Sequence, residues 1–312
     1  MGLAVQVSGS RERWLGMKKL VASLVLATLV LAGCANSPSS GSAPSGDALP
    51  ALLAAMHKTA AAGSSRMAID LNFTSPEQSL HVTGDVAYVL DPADPASLRE
   101  RVLLDIPSMG VFPGGEVELI VGKDSVVYVR APMLASYIPA KTPWIKLDPS
   151  ALPHQPGGVG AATAAINPAA LLAAIKDAIS VNEVGSDTVD GTDATHYRAA
   201  VDLVKLLPSI AELSPEHPTD AEMQEAKDQL AKLGLETLPI ELWVDGDGYL
   251  KQVRFALDLS TIAPDRPGSS FTITLTLSDI GEDISIDVPP ASQVTDLTDL
   301  LGSAFSPAAS LA

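Results

Sequence analysis

The chain carries few side chains that could perform covalent or metal chemistry. It has one cysteine, Cys34, which excludes an internal disulfide framework and a cysteine-rich metal site. Its histidines are scattered without metal-ligand spacing, at His57, His81, His154, His196 and His217. Beyond residue 34 there is no Gly-x-Ser-x-Gly elbow, His-Glu-x-x-His pair or glycine-rich phosphate loop. We therefore expect no catalytic residue, no metal ion and no cofactor, and we expect that the protein is not an enzyme.

One acidic loop could suggest a calcium site. Asp245 and Asp247 lie two residues apart in the run Asp245-Gly246-Asp247-Gly248. A calcium loop of the EF-hand type needs further ligands, including a glutamate at its twelfth position, and these are absent. The same run is typical of a tight hairpin turn, which is the interpretation we favour.

The surroundings of Cys34 point to lipid attachment. Residues 20–33 form an uncharged apolar run of 14 residues that follows Met17-Lys18-Lys19 and ends directly before Cys34. A membrane-spanning helix needs about 20 apolar residues, so this run fits the apolar region of a signal peptide. Leu31, Ala32 and Gly33 before Cys34 resemble the bacterial lipobox, in which a peptidase cuts before a cysteine that carries diacylglycerol. The alternative, a buried core cysteine, is disfavoured by the polar residues 35–47.

These features predict how the N-terminal part is organised. Residues 1–33 are expected to be a signal peptide, and Met17 is our hypothesis for the true start because residues 1–16 do not fit a leader. Residues 34–48 are expected to be the lipidated cysteine and a flexible Ser-, Gly- and Pro-rich tether. We therefore expect the protein at the extracytoplasmic face of the cell membrane, held by an N-terminal acyl anchor with more than one chain.

Charge limits the partners. The chain has 20 basic and 37 acidic residues, a formal net charge of −17. Nucleic acids are bound through clustered Lys and Arg, and the longest basic cluster is Lys18-Lys19, so we expect no nucleic-acid partner. Anionic headgroups would also repel this surface, which leaves the acyl anchor to hold the protein at a membrane.

We expect residues 49–303 to form a single domain, followed by a C-terminal tail at residues 304–312. Alternation of apolar and polar residues with a period of two predicts about ten or eleven antiparallel strands, of which Phe271–Ser278 is the clearest. Gly84 is expected to mark a bulge in one strand. Ile284, Ile286 and Val288 are expected to form the last strand.

The helices are predicted from apolar spacing and end signals. A first helix is expected over Leu49–Ala62 with Pro50 in its first turn, and a second from Asn167 to Ile179. Leu203–Leu213 is a very apolar helix that could serve as a lid or as an ordinary core helix. A charged helix is expected over Thr219–Leu233, and Gln293–Leu301 is expected to close the chain as a helix.

The balance of sheet and helices suggests a pocket. At about 4.8 Å per strand the sheet would be about 50 Å wide, whereas four helices spaced at about 10 Å cover about 40 Å. The sheet must therefore curl around its helices, and its apolar face then either encloses a hollow or fills with side chains. Both outcomes explain the alternation. Trp144 and Trp243 likewise fit either half-buried packing or contact with a ligand or membrane surface.

Several short motifs, together with the lipobox and the Ala/Leu-rich first helix, resemble one group of proteins. They are Trp144–Asp148, Thr188–Gly191 before His196-Tyr197, Leu242–Asp245 before a hairpin, and Asp279–Gly281 before Ile286–Pro290. This order resembles the actinobacterial LppX/LprG-like lipoproteins, whose fold is similar to that of LolA and LolB. The resemblance implies an α+β fold: a large curved antiparallel sheet, or half-barrel, with helices on its concave apolar face. It also implies a cavity that holds acyl chains in some relatives.

We therefore expect a carrier or chaperone for an envelope lipid or glycolipid, without chemistry. The alternative is a ligand-free envelope scaffold or sensor that acts through a protein partner. Candidate cavity residues are the inward alternates and the apolar helix positions: Ile69, Leu71, Val82, Val86, Leu104, Leu119, Leu203, Leu206, Leu207, Leu242, Phe255, Ile273 and Leu275.

Overall fold

The computed structural model describes residues 48–91, 94–108, 113–122, 126–135, 141–148, 178–213, 218–260 and 267–298. In this part of the chain the helices are α1 (Ala48–Ala61), α2 (Leu203–Leu213) and α3 (Asp220–Leu233). The first six strands are β1 (Ser64–Thr74), β2 (Ser79–Asp91), β3 (Asp94–Ile106), β4 (Gly115–Val121), β5 (Val127–Arg130) and β6 (Trp144–Leu147). The others are β7 (Ile179–Val189), β8 (Thr192–Asp202), β9 (Thr237–Asp245), β10 (Leu250–Asp258), β11 (Ser270–Ser278) and β12 (Val294–Asp296).

All twelve strands belong to one sheet, in the order β12-β6-β5-β4-β3-β2-β1-β11-β10-β9-β8-β7. Every neighbouring pair is antiparallel except β12 and β6, which run parallel. The two end strands do not pair with each other, so the curved sheet remains an open half-barrel. The predicted α+β class with a large curved antiparallel sheet is confirmed, with one or two strands more than expected.

The main core lies on one face of this sheet, which we call the inner face. Side chains of β1, β2, β7–β11, α1 and α2 pack together there, and Leu52, Val86, Phe255 and Ile273 are at most 2% exposed. Because alternate residues of a strand point to opposite faces, this core fixes the orientation of every strand.

Helix α1 forms where it was predicted, with Pro50 in its first turn and Gly63 beyond its end. Its buried residues include Leu52, Ala55, Met56 and Thr59, which recur at the spacing of one helix face. The buried Thr59 hydroxyl accepts a hydrogen bond of 2.8 Å from the backbone N–H of Leu250. This bond fixes the helix to the start of β10.

The charged helix is also confirmed. Thr219 caps α3 by accepting a 3.3 Å hydrogen bond from the backbone N–H of Glu222. The Glu222 carboxylate in turn accepts one of 2.8 Å from the backbone N–H of Thr219, which completes a capping box. Gly234 ends the helix with a φ of 64°, a conformation that favours glycine.

The opposite, outer face is partly covered by an extended segment. After β11 the chain continues through residues 282–290 without regular secondary structure, and it buries Ile284 and Ile286 against Ala87, Ile120 and Trp144. The prediction that Ile284, Ile286 and Val288 form a strand is therefore wrong. Their alternation arises because the extended segment packs one side against the sheet.

Two further element predictions differ from the structure. Ile179 begins strand β7 instead of ending a helix, whereas Ala178 before it is helical, and residues 167–177 of the predicted helix lie outside the described residues. The expected helix over Gln293–Leu301 begins instead as a short 3-10 turn followed by β12. Pairing of Val294 with Trp144 at the sheet edge favours the strand there.

Gly84 does not mark a bulge, because it pairs in regular register with Ile69 on β1 and Leu104 on β3. A Cβ atom at this position would lie 2.6 Å from both the Leu103 carbonyl oxygen and Leu104 Cδ2. The glycine therefore allows the Leu104 side chain and the β3 backbone to approach β2 closely.

We predict that Gly84→Ala destabilises the fold by about 1–3 kcal/mol, because the added methyl group overpacks the contact with β3. Gly246→Ala is the matched control, since a Cβ there meets nothing within 4 Å. It should change the free energy of unfolding by less than about 0.5 kcal/mol. Urea unfolding, followed by circular dichroism, measures the free energy of unfolding of both variants. Equal losses of stability would contradict the proposed contact with β3.

Candidate functional site

The inner face changes character along the sheet. Over β8–β11 most inner apolar side chains are buried, and on β1, β2 and β7 partly buried side chains such as Ile69 and Ile179 pack against the same core. On β3–β6 most inner apolar side chains have intermediate exposure. We call the following residues the half-buried strip: Leu104, Val117, Leu119, Val121, Val129, Ile145 and Leu147. Register places them on one face, because Leu104 pairs with Val117 and Leu119 pairs with Val129. The strip is a continuous apolar surface beside the core.

The predicted cavity residues divide between these two regions. Six are buried members of the packed core: Val86, Leu206, Leu242, Phe255, Ile273 and Leu275. Three are partly buried and pack against that core: Ile69, Leu71 and Leu203. The other four have intermediate exposure: Val82, Leu104, Leu119 and Leu207. Of the thirteen, Leu104 and Leu119 therefore lie in the half-buried strip.

One end of this apolar face carries polar side chains. Ser65, Tyr88 and Glu100 lie opposite one another on β1, β2 and β3, on the same face as Val86 and Val102. Ser65 is fully buried, Tyr88 is 8% exposed, and Glu100 is half-buried. Glu100 pairs in register with Val121, so this polar row continues into the half-buried strip.

Burial controls the protonation of this row. Loss of water around the carboxyl group raises the pKa of Glu100 to about 7, and burial raises that of Tyr88 to about 12. Within the described residues no cation or hydrogen-bond donor is paired with Glu100 to oppose this effect. Glu100 was not among the residues predicted from the sequence, although its alternation with Val102 and Leu104 indicates the inner face.

The outer face holds a buried carboxylate in a different setting. Glu118 accepts hydrogen bonds of 2.6 Å from Arg101 Nε and 3.0 Å from Arg130 Nε. Burial acts to raise its pKa, but the hydrogen bonds from Arg130 and Arg101 outweigh burial and lower it. The guanidinium of Arg130 also lies 5.6 Å from the centre of the Trp144 ring. This network holds β3, β4 and β5 together.

Both tryptophans are buried on the outer face, which supports the packing interpretation. Trp144 is 8% exposed and packs against Ile284 and Ile286. Trp243 is 6% exposed and stacks on His196 at 4.4 Å between ring centres. Its indole N–H donates a 3.1 Å hydrogen bond to Asp187.

The Asp245–Gly248 run forms the turn between β9 and β10, as predicted. The Asp245 carboxylate accepts a 2.8 Å hydrogen bond from the backbone N–H of Tyr249. Among the side chains that the structure describes, no three His, Cys, Asp or Glu residues come together as a metal site.

Helix α2, from Leu203 to Leu213, contributes Leu206 to the core and contacts α3 and β9. No helix within the described ranges is both long and apolar enough to cross a membrane.

The described residues also border two surface hollows of about 220 Å³, the first of which adjoins the half-buried strip at Ile145. One is bordered by Arg130–Pro132, Ala135, Thr142, Pro143 and Ile145, at the ends of β5 and β6. The other lies on β8–β10 and is bordered by Arg198, Glu241 and Arg254 among others. Glu241 lies 3.3 Å from Arg254 and 3.8 Å from Arg198. These ion pairs account for the charged side chains at this hollow, so the charges do not indicate a ligand.

Cys34 and the preceding Leu31, Ala32 and Gly33 lie outside the described residues, so their expected lipidation stays a prediction. The same holds for the domain boundaries at residues 33, 48 and 303.

Comparisons with known proteins return the group that the sequence resembles. LprF from Mycobacterium bovis matches at 16% identity with a TM-score of 0.43, covering 80% of this chain and 100% of that one. The Mycobacterium tuberculosis lipoprotein LppX matches at 16% identity with a TM-score of 0.40, covering 76% of this chain and 99% of that one. A LolA superfamily protein from Nitrosomonas europaea has a TM-score of 0.22 at 10% identity, covering 80% of this chain and 97% of that one.

Sequence comparison adds one partial match. An uncharacterised 31.2 kDa protein from the rplA–rplJ intergenic region of Streptomyces griseus is 32% identical over 122 residues. The match covers 39% of this chain and 36% of that protein, so it spans about a third of the relative. No protein family model matches the sequence.

We predict that Glu100→Gln changes how stability depends on pH. The pKa of Glu100 rises from 4.5 to about 7 on folding, so the native state retains a proton that the unfolded chain releases between those values. Wild-type stability therefore falls, relative to the variant, as pH rises through this window. At pH 8 the variant should be more stable by up to about 3 kcal/mol, and at pH 4 the two should be similar.

Urea unfolding at both pH values measures this difference. Glu77→Gln, in the exposed turn between β1 and β2, is the control and should show no such change. An identical stability difference for Glu100→Gln at pH 4 and pH 8 would contradict a desolvated, unpaired carboxyl group.

Proposed function

We propose that this protein is a lipid-anchored, extracytoplasmic lipoprotein that binds the acyl chains of an envelope lipid or glycolipid on the inner face of its sheet. The observation that carries the proposal is the half-buried strip on β3–β6, an apolar surface that continues from the packed core. The protein would act as a carrier or chaperone and would perform no covalent chemistry.

The energetics of such binding are favourable. Removing a methylene group from water contributes about 0.8 kcal/mol, so several methylenes on the strip would offset much of the entropy lost on binding. The strip crosses four neighbouring strands spaced about 4.8 Å apart, which gives a width of about 14 Å between the outer two. An acyl chain of ordinary length could therefore lie across it.

The expected anchor fits this role. Cleavage before Cys34 would leave the Ser-, Gly- and Pro-rich residues 35–47 between the acylated cysteine and α1. A flexible spacer of roughly 13 residues has a typical end-to-end distance of about 20 Å. The domain would then stay near the membrane while it exchanges a lipid.

One observation favours the scaffold or sensor alternative. Six of the thirteen candidate cavity residues are fully used in the packed core, which leaves less of the inner face for a guest chain. In that case the acidic surface would contact a protein partner, and no lipid would occupy the half-buried strip in the cell.

We predict that Leu104→Lys abolishes most lipid binding, because it places a charge within the half-buried strip. Asp105→Lys is the matched control, since Asp105 is the next residue on β3 and is exposed on the outer face. Native mass spectrometry measures the bound lipid on a protein of residues 35–312 that is purified from its native cell envelope. We expect Leu104→Lys to bind the lipid at least tenfold more weakly than wild type, which corresponds to about 1.4 kcal/mol. Asp105→Lys should bind the lipid as wild type does.

Thermal unfolding of both variants shows whether Leu104→Lys still folds. Wild-type protein that carries no lipid from its native envelope would favour the scaffold alternative over the carrier.

We also predict that Cys34→Ala blocks acylation and leaves residues 1–33 attached to the chain. Without the thiol no diacylglycerol can be attached, and the lipobox peptidase cuts only before a cysteine that carries it. Intact mass spectrometry measures both the leader and the acyl groups, and a variant that still loses residues 1–33 would contradict the lipobox. Ser39 lies in the same tether and takes no part in the lipidation chemistry, so Ser39→Ala serves as the control and should be cleaved and acylated like the wild type.

A further inference from the structure

The inner face contains a buried hydroxyl group that lacks a partner. Tyr88 is 8% exposed, and its phenolic oxygen makes no hydrogen bond within the part of the chain that the structure describes. Leaving such a group unsatisfied costs about 1–3 kcal/mol, so buried hydroxyls are nearly always paired. This one therefore has an unused donor and an unused acceptor within an otherwise apolar region.

The neighbour on β1 does not supply the missing partner. Ser65 is opposite Tyr88 in register and fully buried, but its hydroxyl is directed to backbone carbonyl oxygens, 2.9 Å from that of Arg66 and 3.2 Å from that of Ser278. Ser65 lies near enough to oppose part of the effect of burial on the pKa of Tyr88, yet the two hydroxyl groups form no hydrogen bond. A hydroxyl group has one proton to donate, and that of Ser65 is directed to these carbonyl oxygens, so Ser65 donates no hydrogen bond to Tyr88.

The neighbour on β3 adds a second polar group, for which the described residues supply no partner. Glu100 is opposite Tyr88 in register, and directly opposite residues have Cβ atoms about 4.5–5.5 Å apart. Near neutral pH a part of the Glu100 population carries a proton, because burial raises its pKa to about 7. In that state both Tyr88 and Glu100 can donate and accept hydrogen bonds.

We propose that Tyr88 and Glu100 form a polar subsite on the inner face that binds a neutral hydroxyl group of the lipid, while the acyl chain lies along the half-buried strip. This inference rests on the proposed function and specifies the ligand's chemical class. The two regions are continuous, because Glu100 is opposite Val121, a strip residue at the end of β4. A chain that starts at the subsite would pass directly onto apolar side chains.

The chemistry of the subsite selects against negatively charged groups. A lipid carboxylate would meet a half-buried Glu100 that is itself partly ionised, and two like charges in an apolar region repel strongly. A hydroxyl group donates one hydrogen bond and accepts others, which matches the capacity of Tyr88 and Glu100 together. An alcohol or a glycerol hydroxyl of an envelope lipid fits this requirement.

The test uses four probes of equal chain length, dodecan-1-ol, dodecane, dodecanoate and dodecylammonium, each displacing Nile red from the mature chain at pH 6. Wild-type protein should bind dodecan-1-ol at least fivefold more tightly than dodecane. Tyr88→Phe, which removes only the unpaired hydroxyl, should reduce this ratio to below twofold and leave dodecane binding unchanged. Tyr128→Phe is the matched control, because Tyr128 packs on the outer face and should not change the ratio.

Glu100→Gln checks the second group, because it keeps hydrogen-bonding capacity and loses the charge. It should retain the preference for dodecan-1-ol and bind dodecanoate at least threefold more tightly than wild type does at pH 8. An unchanged affinity for dodecanoate would overturn the role of Glu100.

The remaining outcomes separate the two proposals. If all probes bind with equal affinity and Tyr88→Phe has no effect, the subsite is wrong while acyl binding stands. Tightest binding of dodecylammonium would overturn the neutral hydroxyl as the ligand group. If no probe displaces Nile red from the wild-type chain, acyl binding on the inner face fails, and the subsite fails with it.

Discussion

The structure depends on one constraint, the two-residue period of the strand register, which runs without a shift along the central rows of the inner face from β1 to β5. Because each strand pairs with its neighbours over most of its length, the core that orients Met67 and Val86 also orients Val102, Leu119 and Val129 in the same row. The packed core and the half-buried strip are therefore one surface. A shift of one residue in any strand would turn the apolar side chains of that strand to the outer face. The strip cannot be removed without disturbing the core.

Register also explains why the sequence could predict the inner face better than the outer one. Alternation found β11 because its inner positions are apolar throughout, and apolar spacing together with an end signal found the charged helix α3. Strand β7 was missed because its register shifts between Glu183 and Gly185, which breaks the period that identifies a strand. Residues 284–288 were assigned to a strand because an extended chain packed on a sheet shows the same alternation.

The contrast between Glu100 and Glu118 shows what the sequence could not provide. Both are glutamates on neighbouring strands of the same sheet, and neither residue type nor spacing separates them. Glu118 lies on the outer face, where Arg101 and Arg130 donate hydrogen bonds to both of its carboxylate oxygens. Glu100 lies on the inner face, where none of the described residues donates to it, and burial raises its pKa. Three-dimensional pairing across β3, β4 and β5 decides which carboxyl group is ionised.

A polar row at the end of an apolar strip can orient a bound acyl chain, which the strip alone cannot do. Hydrophobic burial is non-directional, so an apolar surface fixes neither the position of an acyl chain along it nor which end of the chain enters first. Hydrogen-bonding groups that lack protein partners supply direction, because they lower the free energy of only those arrangements that satisfy them. In this sheet Tyr88 and Glu100 stand at one end of the strip, and the register that builds the core also holds them there. A chain bound on the strip would therefore take one orientation, with its polar end at β2 and β3 and its methylenes toward β6.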